Sequence, residues 1–172
     1  MPPPALHEWQ NFFMVVGTAS ATLIGAMFVV VSIGIGILTR GRARAIGTFL
    51  TSTVVSLSTV LFGAVLTMMP ALDWFWLGVI VGLAGIIGLF YSVRVAFCFR
   101  QHQGTDHSDW FWYAIFPLAG YALLLAAAAT ALRGMAVSLD LLAAALAALL
   151  MGGIRNAWDM ILFLVTQSRE SR

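Results

Sequence analysis

The sequence predicts an all-α protein, a polytopic bundle of transmembrane helices in which five spans are favoured. Of its 172 residues, 61% are hydrophobic and only 9% are charged, which is unlike a soluble domain. Apolar runs of membrane length recur along the chain and are separated by short segments that contain arginine, proline or acidic residues. These runs occupy nearly the whole chain, so we expect a single domain over residues 1–172.

The first two predicted spans cover residues 12–38 and 46–69 and carry small or hydroxyl-bearing residues at helical spacing. In the first span such residues recur at every fourth position, as Gly17, Ala21 and Gly25. This spacing allows two helix backbones to approach closely. In the second span a single helix face carries Thr48, Ser52, Ser56, Thr59, Gly63 and Thr67. Both patterns favour helix–helix packing, and lining of a polar path is the alternative.

The third predicted span, residues 74–99, has a glycine-rich face suited to close packing. That face consists of Gly78, Gly82, Gly85, Gly88 and Ser92. The fourth predicted span, residues 110–132, begins with an aromatic run typical of a membrane interface, and Pro117 is expected to kink it. Between these spans, residues 101–109 are polar. Their histidines and aspartates lack the spacing of a metal site, so we predict a solvated loop and no bound metal.

The fifth predicted span, residues 139–166, contains a polar cluster within an otherwise apolar run: Arg155, Asn156, Trp158 and Asp159. Arg155 and Asp159 are four residues apart and can pair on one helix face, and the Trp158 ring can approach the guanidinium. Ionisable residues inside a membrane are candidates for function. The cluster is therefore either a structural ion pair or a gate, a relay or a binding charge.

The preceding Gly152-Gly153 pair weakens a helix or allows close approach of a neighbouring backbone. If the helix broke there, the remainder would lie flat in the interface and the chain would have four spans. Five continuous spans are the favoured interpretation.

The distribution of arginine predicts the orientation in the membrane. Arg40, Arg42 and Arg44 form a basic loop at residues 39–45. With five spans, seven arginines fall on the same side as this loop and only Arg133 falls on the other. The positive-inside rule then places the loop and the C-terminus in the cytoplasm and the N-terminus outside. The loop could also bind lipid headgroups or a partner.

Two stretches resemble a known family. Trp9-x-x-Phe12-Phe13, followed by Gly-Thr-Ala-Ser-Ala-Thr-Leu-Ile-Gly at residues 17–25 and Phe-Val-Val-Val-Ser at 28–32, resembles the first helix of an uncharacterised family of small bacterial integral membrane proteins with four to five transmembrane helices. Arg-Asn-Ala-Trp at residues 155–158 resembles the last helix of that family. The resemblance implies the fold and a location in the bacterial inner membrane, and it implies no activity.

Several functional classes are disfavoured by composition. The histidines lie outside the predicted spans, and the one cysteine, Cys98, cannot support two-thiol chemistry. We therefore expect neither an enzyme nor a cofactor. A net charge of +2 is too small to indicate binding of nucleic acid.

The expected partners are membrane lipid and either a second copy or another membrane protein. The favoured function is a structural or interaction module that packs through small-residue helix faces. The alternative is an oligomeric small-ion channel or transporter with Arg155 and Asp159 in its path.

Overall fold

The computed structural model describes residues 6–34, 40–70, 72–100, 112 and 115–170. For residues 6, 7, 33, 34, 40–50, 98–100, 160 and 163–170 it describes the backbone alone. Within these residues the chain forms five helices: α1 (Leu6–Gly34), α2 (Arg40–Thr67), α3 (Trp74–Arg100), α4 (Phe116–Ala131) and α5 (Val137–Glu170). The predicted all-α class is confirmed.

The start of α2 differs from the predicted loop at residues 39–45. Arg40, Arg42 and Arg44 lie in the first turns of α2 rather than in a loop, since arginine and alanine are strong helix formers. Pro117 lies in the first turn of α4. Residues 113 and 114, just before this turn, lie outside the described residues, so the predicted kink stays a prediction. In the first turn the backbone N–H that proline lacks would have no partner in the helix, so proline is tolerated there.

Local interactions set the turns between the helices. The Asp73 carboxylate caps the start of α3 by accepting a hydrogen bond from the backbone N–H of Trp76 at 2.9 Å. The turn between α4 and α5 contains Gly134 with φ +68°, a conformation that residues with a Cβ rarely adopt. Both turns are short, so each joins two antiparallel neighbours.

Helix α5 is continuous through Gly152-Gly153, and the alternative in which the chain breaks there is therefore wrong. The two glycines allow close approach instead. A Cβ at Gly153 would lie 2.7 Å from the Leu57 side chain of α2, and a Cβ at Gly152 would lie 3.2 Å from the Phe116 ring of α4. The two glycines, although unfavourable for an isolated helix, thus form a site where α2 and α4 pack closely on α5.

The helices follow one another around the bundle, each packed against the next, and α5 returns to contact α1. Helix α5 also packs against α2 across the centre. Half of its apolar span is buried, against 22% of the span in α1. Helix α5 is therefore the central element, and α1 is the more exposed one.

Successive helices alternate in direction. Helices α1 and α2 are antiparallel because Gly17 packs on Ala64 while Ser20, further along α1, bonds to Leu57. The same reversed order of contacts relates α2 to α5, α3 to α4, and α4 to α5: Gly63 on Leu146 and Gly153 on Leu57, Gly78 on Leu132 and Gly88 on Tyr121, Gly120 on Leu149 and Gly152 on Phe116. The α2–α3 and α4–α5 turns consequently share one end of the bundle. The other end collects the start of α2 and the ends of α3 and α5, and we call it the arginine end. Arg40, Arg42, Arg44 and Arg100 belong to it by their backbone positions.

Three helices in the described part of the chain are long and apolar enough to cross a membrane. Their spans are Glu8–Ser32 in α1, Trp74–Phe97 in α3 and Val137–Asp159 in α5. The apolar segments described in α2 and α4 are shorter, Thr51–Thr67 and Phe116–Ala131. At 1.5 Å per residue, the 16 residues of α4 extend about 24 Å, less than the roughly 30 Å of a hydrocarbon core.

Candidate functional site

The polar cluster of α5 lies near mid-height in the bundle. Gly153 packs on Leu57, whose backbone carbonyl accepts a 2.6 Å hydrogen bond from the Ser20 hydroxyl. Ser20 is the middle residue of the 25-residue span in α1. At 1.5 Å per residue, Arg155 lies about 3 Å and Asp159 about 9 Å beyond this level, towards the arginine end. Both are within the roughly 15 Å half-thickness of a hydrocarbon core.

Arg155 and Asp159 form an ion pair on the outer side of α5. The Arg155 Nε lies 3.2 Å from Asp159 Oδ2, one helical turn away. The Arg155 side chain is 45% exposed and that of Asp159 is 23% exposed. The pair is thus not enclosed by the bundle, and in a membrane its surroundings are set by whatever covers this side of α5.

The aromatic partner of Arg155 differs from the expected one. The guanidinium carbon lies 5.9 Å from the centre of the Trp112 ring, and that ring packs on Phe116 at 4.9 Å between centroids. Trp158, the expected partner, is 56% exposed on the outer face. The Arg155 side chain follows the side of α5 that carries Asp159 and faces the start of α4. Trp112 is brought there by the tertiary fold, and no local spacing indicates it.

Asn156 is the next residue and points the other way, into the bundle. It is only 5% exposed, and its side-chain carbonyl oxygen has no hydrogen-bond partner among the residues that the structure describes. Because α2 and α5 are antiparallel and Gly153 packs on Leu57, Asn156 lies level with Thr53 and Val54. A buried carbonyl without a donor costs about 1–3 kcal/mol. Asn156 is thus, together with Ser138, whose buried hydroxyl is likewise unpartnered among the described residues, a polar group whose position packing explains poorly.

The small residues predicted on α1 do not share one environment. Gly17 is buried, and a Cβ there would lie 2.9 Å from the Ala64 side chain. Ala21 is exposed, and a Cβ at Gly25 would meet nothing within 4 Å. Among the described residues, Gly17 is therefore the one of the three that is buried against another helix.

The described hydroxyl residues of the face predicted on α2 point into the bundle, and the side chain of Thr48 lies outside the described residues. Ser52 and Ser56 are buried, and Thr59 is partly buried. The Thr59 hydroxyl donates to the Val55 carbonyl of its own helix at 2.9 Å and lies 3.4 Å from the hydroxyl of the buried Tyr121 on α4. At Thr59 the hydroxyl is thus satisfied by its own helix and serves a helix–helix contact.

The glycines predicted on α3 face α4. A Cβ at Gly78 or Gly85 would lie 2.8 Å from the side chain of Leu132 or Leu125, respectively. At Gly82 it would lie 3.4 Å from Ala128, an ordinary contact. At Gly88 it would overlap the Tyr121 ring. This face allows α3 and α4 to pack with little space between them.

A groove of about 590 Å³ runs along the outside of the bundle between α1 and α5. It is apolar apart from two threonines and is lined by Met14, Val15, Thr18, Ala19, Thr22, Leu23 and Ile154. The Thr18 and Thr22 hydroxyls bond to carbonyls of their own helix, so the groove offers few polar groups to a ligand. Ile154 joins the groove to the outer face of α5.

The residues considered as metal ligands at 101–109 lie outside the described residues. Within the described part, no three histidine, cysteine or acidic side chains are grouped so as to hold a metal ion. Comparison of the chain with protein-family models, curated proteins and solved structures found no match.

Proposed function

We propose that this protein is a multi-pass integral membrane protein of the bacterial inner membrane that acts as an interaction module. Its N-terminus is outside, and the arginine end with the C-terminus is cytoplasmic. The apolar spans of α1, α3 and α5 support insertion. The arginines at one end of the bundle support the orientation through the positive-inside rule. The basic start of α2 would then meet headgroups of the cytoplasmic leaflet.

The observation that carries the interaction proposal is the position of the Arg155–Asp159 pair on the outer side of the central helix. Ionisable groups at membrane depth almost always face protein or a water-filled cavity. Here nearly half of the arginine side chain faces outward. A partner that covers this side would remove the contact between charge and lipid, whereas the interior is already filled by glycine-mediated packing.

The test is photo-crosslinking from the outer face in native membranes. A photoreactive amino acid at Trp158, which is 56% exposed, is expected to give an adduct with protein. The same amino acid at Phe97, which is 63% exposed on α3 and lies at a similar depth to Trp158, serves as the matched control and is expected to give lipid adducts. Lipid adducts from both positions would contradict the interaction module.

A second function, the oligomeric small-ion channel or transporter, is favoured by one observation, the buried carbonyl of Asn156. An unpaired carbonyl within the bundle could coordinate a cation or a water molecule. The test is ion flux into liposomes that contain the wild-type protein, the Asn156→Leu variant or the Arg155→Ala variant. Flux that either substitution abolishes would support the channel. Absence of flux for cations, protons and chloride would exclude it for those ions.

A further inference from the structure

We infer that the outer face of α5 binds a second copy of this chain. This outer face consists of Met151, Ile154, Arg155, Trp158 and Leu162, each at least 45% exposed. The inference rests on the proposed interaction module and names its partner. The two copies meet with their Arg155–Asp159 pairs side by side.

The first reason is that the Arg155 guanidinium has more donors than acceptors. It carries five N–H groups. Among the described residues its one acceptor is the Asp159 carboxylate, reached through Nε. The Trp112 ring lies beside the guanidinium, with 5.9 Å between the ring centre and the guanidinium carbon. The Arg155 side chain is 45% exposed. At membrane depth, its N–H groups that do not meet Asp159 need further acceptors, which lipid tails cannot supply.

The second reason is that the outer face is complementary to itself in charge. Two copies inserted in the same orientation are related by an axis along the membrane normal, which brings identical residues to the same depth. Each guanidinium then gains the carboxylate of Asp159 of the partner subunit, because one carboxylate accepts several hydrogen bonds. The resulting set of two arginines and two aspartates is neutral, as a contact inside a membrane requires.

The third reason is the shape of the surroundings. Apolar side chains flank the ion pair on the outer face, and the groove between α1 and α5 adjoins it at Ile154. An apolar patch around a central charged pair resembles the composition of stable protein interfaces, in which arginine and tryptophan are enriched. Side chains from a second copy can fill the groove beside the contact.

The first experiment is disulfide crosslinking in native membranes, with Cys98→Ala as the background. After oxidation, Met151→Cys is expected to give a disulfide-linked dimer with twice the 18.5 kDa mass of one chain. Phe90→Cys is the control. Phe90 is about as exposed as Met151. It also lies at a similar depth, because neighbouring residues of α4 contact both helices: Tyr121 packs on Gly88 of α3, and Gly120 packs on Leu149 of α5. A dimer from the Met151 variant and none from the Phe90 variant supports the inference, whereas no dimer or equal amounts from both would overturn it.

The second experiment tests the role of charge. Arg155→Leu in the Met151→Cys background is expected to lower the crosslinked fraction at least about tenfold, since removal of one member of a close interfacial charge pair commonly costs that much or more. The exchanged variant, Arg155→Asp with Asp159→Arg, keeps both charges and is expected to restore the dimer. Arg94→Leu, at an exposed arginine of α3, is the control that leaves the dimer unchanged. Equal crosslinking of wild-type and Arg155→Leu chains would refute the charge contact.

The outcomes separate this inference from the proposed function. A Trp158 photo-adduct with a different protein, together with no dimer from Met151→Cys, would overturn the second copy while leaving the interaction module intact. Lipid adducts alone, together with no dimer, would overturn both.

Discussion

Replacement of Gly88 with alanine tests the packing of α3 against α4 most directly. A Cβ at this position would overlap the ring of Tyr121. That ring has no space to retreat, because Tyr121 is 1% exposed and its hydroxyl lies 3.4 Å from that of Thr59. The change should therefore force α3 and α4 apart or displace Tyr121.

The magnitude follows from two opposing contributions. Alanine is favoured over glycine within a helix by about 0.8–1 kcal/mol. Overpacking of a tight site costs about 1–3 kcal/mol and occasionally more. Because the overlap here is with a large buried ring, we expect the upper part of that range and a net destabilisation of about 1–2 kcal/mol. For a chain of this length, that corresponds to a decrease in Tm of about 2–8 °C.

The assay is thermal unfolding of the purified protein in mild detergent, followed by tryptophan fluorescence. Gly82→Ala is the matched control on the same face of α3. Its Cβ would lie 3.4 Å from Ala128, so helix propensity should dominate and Tm should stay the same or rise. If Gly88→Ala is as stable as Gly82→Ala, the close approach of α3 and α4 is refuted.

Two further predictions use the same assay. Asp159→Ala should destabilise the protein more than the double replacement of Arg155 and Asp159 by leucine, because the single change leaves an uncompensated charge. The loss of unfolding free energy in Asp159→Ala should lie between the roughly 1 kcal/mol of an exposed ion pair and the 3–5 kcal/mol of a buried one. Equal destabilisation by the single and the double replacement would show that the pair is solvated. Ser20→Ala removes the hydrogen bond from α1 to α2 and should cost about 0.5–1.5 kcal/mol. Ser32→Ala is its control, since that hydroxyl bonds within its own helix, and equal stability of the two variants would refute the interhelical bond.

The small-residue patterns show what the sequence could predict and where it could not. A residue in an α-helix is rotated by about 100° from the one before it. Gly17, Ala21 and Gly25 are separated by two steps of four residues, so Gly25 is rotated about the helix axis by about 80° relative to Gly17. Gly17 therefore faces α2, and Gly25 faces outward. On α3 the steps of four, three, three and four average 3.5 residues, and the glycines stay on the face that meets α4. Mixed steps of three and four thus indicate a packing face better than repeated steps of four.

The polar cluster was predictable from composition, but its surroundings were not. The pairing of Arg155 with Asp159 follows from a spacing of four, which is a local property of a helix. The contact with Trp112 joins residues more than forty positions apart, and the choice between Trp112 and Trp158 depends on how α4 begins beside α5. Likewise, Gly152-Gly153 is a contact site because Leu57 of α2 packs there. The sequence alone could not distinguish such a contact site from a break in the helix.

The two functional proposals depend on neighbouring residues that face opposite ways. Glycine at 152 and 153 costs the helix roughly 0.5–1 kcal/mol per residue relative to alanine, and close packing on α4 and α2 offsets that cost. This packing fixes the rotation of α5, so the next turn presents Arg155 outward and Asn156 inward. A substitution at Arg155 therefore tests what covers the bundle, and one at Asn156 tests what enters it. Loss of crosslinking in the Arg155 variant, with no ion flux in any variant, would identify an interaction module, whereas flux that either variant abolishes would identify a channel.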